Sequence, residues 1–522
     1  MPISRRVLLR SAVAGAVASA LPSRPLWAAP EAVNETTGAA HAGLAQALAS
    51  ARVGDTITVA GHHPGNFTIA VPMTLRGRDG ALIDAGGRGT ALVIAADDVT
   101  VSGLALTGSG PRRSLASIWG PAGLRVEGRR AGLSGLTVSG NEDGILLLDA
   151  ADASIEGSRI IENRADGIKV MGGHGHRIAG TAMDRNGVGL TIAPYYGDAT
   201  EMILPEVPQT NDPAAMQRYQ RALQLLTQLK QGARGATEIV VESNTLRGNG
   251  TLGIHLYTGS ARCTLQQNEV HLTGRERTPD QAAVAWYGDY LSRSLGGADV
   301  SDVLNTHAGT GIILSCLTED HRVIGNHSHD NLGDGMAANM TYRTLFENNR
   351  LERNRTGFWL DYSDNNEARG NVIAGNADGG LVIDNWLRSH APAPSGSSGN
   401  LIVLNSLIGN RINAYDSSDH VPTQAEVQAR LDKAPLPAQV RDMLRQRPDL
   451  CSQMMAQHLS AHRPGRNRWD DGQLGNHYSD FDTPEEGFRD ADANGVSEQP
   501  HAIPGGGHVD RFPLSLARAQ AG

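Results

Sequence analysis

Gly311-Ile-Ile-Leu-Ser315, Gly335-Met-Ala-Ala-Asn339, Gly357-Phe-Trp-Leu-Asp361 and Gly380-Leu-Val-Ile-Asp384 align one beneath another when the chain is cut at its glycines. Each is a glycine followed by a short apolar run, the starts lie about 22–24 residues apart, and asparagine-rich polar turns separate them. One short strand per repeat at this period is the signature of a solenoid, and the period fits one turn of a right-handed parallel β-helix. Upstream, Gly123, Gly144, Gly167, Gly189 and Gly253 extend the register; downstream, Ile412-Asn-Ala-Tyr415 continues it with Arg411 in the glycine place.

Side chains alternate across a strand. The first and third residues after each glycine (Ile145/Leu147, Ile168/Val170, Leu190/Ile192, Ile254/Leu256, Ile312/Leu314, Phe358/Leu360, Leu381/Ile383) are apolar and should fill the interior. The second and fourth should face solvent and carry function: Lys169, His255, Tyr257, Ser315, Asn339, Trp359, Asp361, Asp384 and Tyr415. Asparagines five apart recur at 244/249, 326/331, 349/354, 371/376 and 405/410. Asparagine suits tight turns, and stacked copies can bond one another up a column, so these read as structural.

The 522 residues include 62 glycines and only 4% aromatics, which suits an all-β repeat protein. A net charge of −9 over this length argues against nucleic acid as the main partner. Cys263, Cys316 and Cys451 are odd in number and widely spaced, so neither a disulfide framework nor a zinc motif is indicated.

Residues 1–29 read as a targeting segment: Arg5-Arg6, an apolar run to about Leu21, then Leu26-Trp-Ala-Ala29. The paired arginines resemble a twin-arginine signal and imply export to the periplasm or beyond. No other stretch is apolar for long enough to span a bilayer. Residues 39–51 predict a short helix capping the first rung, within a β-helix over 30–415. Insertions are expected at about 197–237, where Met216, Tyr219, Leu223 and Leu226 recur at helical spacing, and at about 274–307. Residues 421–463 turn helical, opening on the capping box Thr423-Gln-Ala-Glu426, and 464–516 form a polar tail.

That tail contains Asn467-Arg-Trp-Asp-Asp471, Gly475-Asn-His-Tyr-Ser-Asp480, Ile503-Pro-Gly-Gly506 and Asp510-Arg-Phe-Pro-Leu514. It resembles the end of NosD-type periplasmic β-helix proteins, with His477-Tyr478 where the family has Tyr-Trp. The resemblance implies a right-handed parallel β-helix of pectin-lyase-like kind. It also implies either membership of the carbohydrate-binding and sugar-hydrolase group or a NosD-like role in copper-centre maturation.

For chemistry, Asp361 and Asp384 hold the same outward position on consecutive coils, and neighbouring strands lie about 4.8 Å apart. Two such carboxyls can divide into acid and base or acid and nucleophile, so a polysaccharide-cleaving site is expected there. Trp359 would be a sugar-stacking platform, and Asn339, His255 and Tyr257 positioning groups. Lys169, Arg388 and His255 are the candidates if the substrate is a uronic acid, whose carboxylate needs a cation and whose α-proton needs a base. His321, His327 and His329, with Asp320 and Asp330, are a candidate copper or zinc cluster. Asp490, Asp492, Asn494 and Glu498 match the first half of a calcium loop, with His501 where the closing glutamate belongs. A plain Asx turn is the alternative. No cofactor is required by this reading; calcium is an option, and copper enters only with the NosD-like role. A polysaccharide or oligosaccharide partner, no membrane span and a monomer complete the expectation.

Overall fold

A computed structural model of the chain describes residues 32–111, 119–195, 234–257, 259–276, 308–383, 397–420, 423, 425 and 464–521. The targeting segment, nearly all of both expected insertions, and nearly all of the 421–463 helical segment lie outside these residues. Among the described residues, no helix is long and apolar enough to cross a membrane.

The chain is a right-handed parallel β-helix. Each turn contributes one longer strand to a 12-stranded sheet and two short strands to a 25-stranded sheet that wraps the other sides. One turn runs from Arg322–Ile324 through His327–His329 to Met336–Tyr342. Register is strict: Ile145 lies beside Ile168, Ile168 beside Leu190, and Phe358 beside Leu381. The two long gaps in the repeat leave this ladder intact, because Leu190 pairs with Ile254 and Ile254 with Ile312.

All the expected inward residues are buried in one continuous core running the length of the coil. The glycines ahead of them are required by space, not by backbone conformation. A Cβ on Gly357 would sit 2.2 Å from Ile373 Cγ2 and 2.9 Å from the Gly380 carbonyl oxygen. One on Gly335 would sit 2.5 Å from Asn354 Nδ2. The glycine therefore marks where the corner asparagine and the backbone of the neighbouring coil come closest. One register expectation changes: Ala414 pairs with Leu381 and Tyr415 with Val382, so Asn413, not Arg411, stands in the glycine place.

The asparagines form ladders at three corners. At the first, Asn244, Asn268, Asn326, Asn349, Asn371, Asn405 and Asn476 succeed one another, each side-chain oxygen accepting from the preceding residue's backbone N–H and amide. At the second, Asn331, Asn354, Asn376, Asn410 and Asn413 succeed one another, each backbone N–H donating to the next side-chain oxygen. At the third, Thr344 gives way to Asn366, Asn400 and Asn467. Buried polar groups must be paired, and here the chain pairs them with its own repeat.

Both ends are closed. At the start, Ala32–Asn34 pairs antiparallel with Ala39–His41 and with the strand Thr56–Pro64, and the helix Leu44–Ser50 buries Leu44 and Ala47. The expected 39–51 helix is thus shorter, its first residues being a strand that pairs with Ala32–Asn34, which covers the open edge. At the other end the tail supplies the top of each ladder through Asn467, Asn476 and Asp480, whose Oδ1 accepts from Asn413 at 2.7 Å. Asp510 then accepts from Asn476, Tyr478 and Phe512. The tail motif is ladder-closing chemistry.

Candidate functional site

The outer face of the 12-stranded sheet was expected to meet solvent. Trp359 does project outward, but it is only 1% exposed and packs with Leu252, Ile313, Ala337 and Val382. The sequence held the signal: Ile313, Ala337 and Val382 are apolar residues in the outward row. Trp359 as an exposed stacking platform is therefore corrected to a buried indole in a second apolar layer. Lys169, Ser315 and Asp361 are likewise buried, and His255, Tyr257 and Asn339 half-buried.

Along this face the polar side chains fall into two groups. In the later coils Asn339 pairs in register with Asp361, and its Nδ2 donates to Asp361 Oδ2 at 2.9 Å, fixing the carboxyl. Leu360 pairs with Ile383, the residue before each aspartate of the expected pair. Asp384 and Arg388 themselves lie outside the described residues.

In the earlier coils Lys169 pairs with Thr191, and Thr191 with His255. His255 Nε2 lies 2.9 Å from Ser315 Oγ, and its ring meets Tyr257 edge-on at 5.2 Å. The Lys169 ammonium is 2.6 Å from Asp166 and 3.8 Å from Asp143, both buried, and Thr191 donates to Asp166. This cation is thus already matched by two carboxylates, which weakens it as the clamp for a uronate. Asp143 and Asp166 were missed from sequence. The available signal was the repeated Asp-Gly pair, since each aspartate directly precedes a register glycine.

The histidine cluster is reorganised. His321 is fully buried at the third corner, where its Nδ1 accepts from the Cys263 backbone N–H at 3.1 Å, as His176 accepts from Ala153. Burial pushes both imidazoles down to about 4. His321 therefore takes no part in a metal cluster. His327 and His329 do come together, their rings stacked at 4.1 Å, and neighbouring coils add His271 at 5.0 Å from His329, together with Glu269 and Glu352. Burial, with the neighbouring His329, holds His271 and His327 below the usual histidine range.

In the tail, carboxylate oxygens of Asp490, Asp492 and Glu498 lie within 4.8 Å of one another. They also accept backbone N–H bonds: Asp490 from Asn494 and Gly495 at 2.9 and 2.8 Å, Glu498 from Ala491 at 2.9 Å. Asn494 Nδ2 donates to Asp492 Oδ2. The loop is thus closed by Asx-type turns, and its three carboxylates remain close enough together to share a cation.

Two family models match the chain: a periplasmic copper-binding protein (NosD) over residues 287–426, and a right-handed β-helix region over residues 119–291. No curated protein matches. Among solved structures, the chain is similar to the A-module of a mannuronan C-5 epimerase from Azotobacter vinelandii, at 12% identity over 70% of this chain and 88% of that one, with a TM-score of 0.43. It is similar also to an alginate lyase from Paenibacillus, at 14% identity over 63% and 91%, TM-score 0.30. A periplasmic alginate epimerase gives 12% identity over 70% and 82%, TM-score 0.33. The coils, their ladders and the β-helix match agree on a right-handed parallel β-helix, and residues 287–426 of the chain are similar to the NosD family.

Proposed function

We propose that this is an exported carbohydrate-active β-helix protein that cleaves a polysaccharide reaching the buried Asp361 on the outer side of the 12-stranded sheet, beside the half-buried Asn339. Asp361 and Asp384 would share the acid and base or nucleophile roles. The observation that carries this is the pairing of Asn339 with Asp361 beside the Leu360–Ile383 register, which supports two carboxyls on adjacent coils. The half-buried His255 and Tyr257 on the same face are suited to position a sugar ring. Of the cation candidates for a uronate, Lys169 is already paired with Asp166 and Asp143.

The test is a polysaccharide panel read for new reducing ends and for absorbance of unsaturated products, comparing the parent with Asp361→Asn and Asp384→Asn. Reducing ends without unsaturated product, lost in both variants, support the reading. Activity equal in parent and variants removes the aspartates from the mechanism.

A second reading is a non-catalytic NosD-like periplasmic accessory protein that binds partner proteins and copper. The match to a family described as periplasmic copper-binding favours it. The calcium reading of Asp490, Asp492, Asn494 and Glu498 fits either role, since a bound cation there would fasten the tail.

A further inference from the structure

Glu269 and His329 come from consecutive coils of the 25-stranded sheet, where Glu269 pairs with His327 and His271 with His329. His329 Nδ1 lies 2.6 Å from Asp330 Oδ2, a short contact that requires a proton on that nitrogen. Asp330 is in turn held by Arg353 at 2.7 and 2.9 Å. On its other side His329 Nε2 lies 3.4 Å from Glu269 Oε1. The separation exceeds the about 2.7–3.2 Å of an N–H···O hydrogen bond. It equals the spacing of two ligands on one tetrahedral metal at about 2.0–2.1 Å from each. One ligand atom each from Glu269, His327 and His329 lie within 4.8 Å of one another, and His327 Nε2 is also 3.3 Å from Glu352 Oε2.

We propose that Glu269, His327 and His329 bind a late first-row divalent cation of the zinc or copper class, with Asp330 as the partner that orients His329. Two imidazoles and one carboxylate suit these ions, and a carboxylate behind a ligating histidine is the usual way its ring is fixed. The cluster is half-exposed, so an ion can enter from solvent. It lies on the opposite sheet from the aspartates and stands whichever reading of that face holds.

The experiment uses the full mature chain without a histidine tag, stripped with chelator and titrated with Zn2+ by calorimetry. A parallel Co2+ titration is followed in the visible. The expected result is one site per chain with tetrahedral cobalt absorption. The affinity should drop at least tenfold in His327→Ala/His329→Ala and about 10–100-fold in Asp330→Asn. Melting curves should match the parent, because these side chains sit on the outer surface. Zinc binding unchanged in the double variant, or only octahedral cobalt spectra in the parent, overturns the proposal. The alternative it excludes is a doubly protonated His329 held between Asp330 and Glu269 without an ion.

Discussion

Asn405 gives both its backbone N–H and its side-chain amide to the one oxygen Oδ1 of Asn476, at 3.1 and 2.9 Å. The two residues are 71 positions apart, and that contact joins the last full coils to the tail. Removing the Asn476 side chain strands the buried Asn405 N–H and takes the amide donor from the Ile402 and Trp469 carbonyls, while the Asn405 amide keeps Ala368 and Val403; each buried group left unpaired costs about 1–3 kcal/mol. Asn476→Ala should therefore lower the unfolding free energy by about 2–4 kcal/mol in urea titration of the full chain. A loss below about 0.5 kcal/mol would mean the tail is not what closes this ladder.

The register glycines predict a steric effect. Gly357→Ala drives a methyl carbon into Ile373 and the neighbouring coil. Overpacking of this kind costs about 1–3 kcal/mol. An alanine variant that melts at the parent temperature would show that the coils have slack at this corner.

Trp359 separates a packing role from a binding one. It is buried among aliphatic side chains, so Trp359→Ala should cost about 3–5 kcal/mol of stability. If instead the variant keeps its melting midpoint and loses only oligosaccharide affinity, the indole is a platform after all.

His176 and His321 make acid sensitivity a property of the fold. Burial holds each uncharged, down to about 4 from an ordinary 6.5. As pH falls below about 6.5 the unfolded chain takes up these protons first, so stability present above that pH is lost progressively toward about 4. The loss is on the order of 3 kcal/mol per histidine. His176→Asn/His321→Asn keeps a side-chain acceptor for the Ala153 and Cys263 N–H groups and removes the titration. Its stability should change less than the parent's between pH 6.5 and 4.5, measured by chemical denaturation at each pH. Parallel curves for the two proteins would assign the acid sensitivity elsewhere.

The tail loop offers a ligand test. If Asp490, Asp492 and Glu498 share calcium, millimolar Ca2+ should raise the melting midpoint of the parent and leave Asp492→Ala unmoved. Equal shifts in both, or none in either, leave the loop as Asx turns closed by backbone donors.

What the sequence determined here is whatever depends on one coil and its repetition. Alternation put Ile168, Phe358 and Leu381 inside, and the five-residue asparagine spacing put Asn326 and Asn331 at successive corners. The tail motif resembled the end of a β-helix family and already held Asn467, Asn476 and Asp480, which close the ladders. These follow from local periodicity, which any single turn displays.

Tertiary structure decided what meets across coils and what lies over them. Glu269 and His329 are 60 residues apart, and they meet because an insertion of unremarkable sequence leaves the ladder unbroken between them. His321, two residues from its turn, was drawn instead into the wall to satisfy the Cys263 N–H. Period two tells an outward residue from an inward one, but it cannot tell an exposed outer face from a covered one. That is why Trp359 and Asp361 were assigned the right side of the sheet and the wrong surroundings.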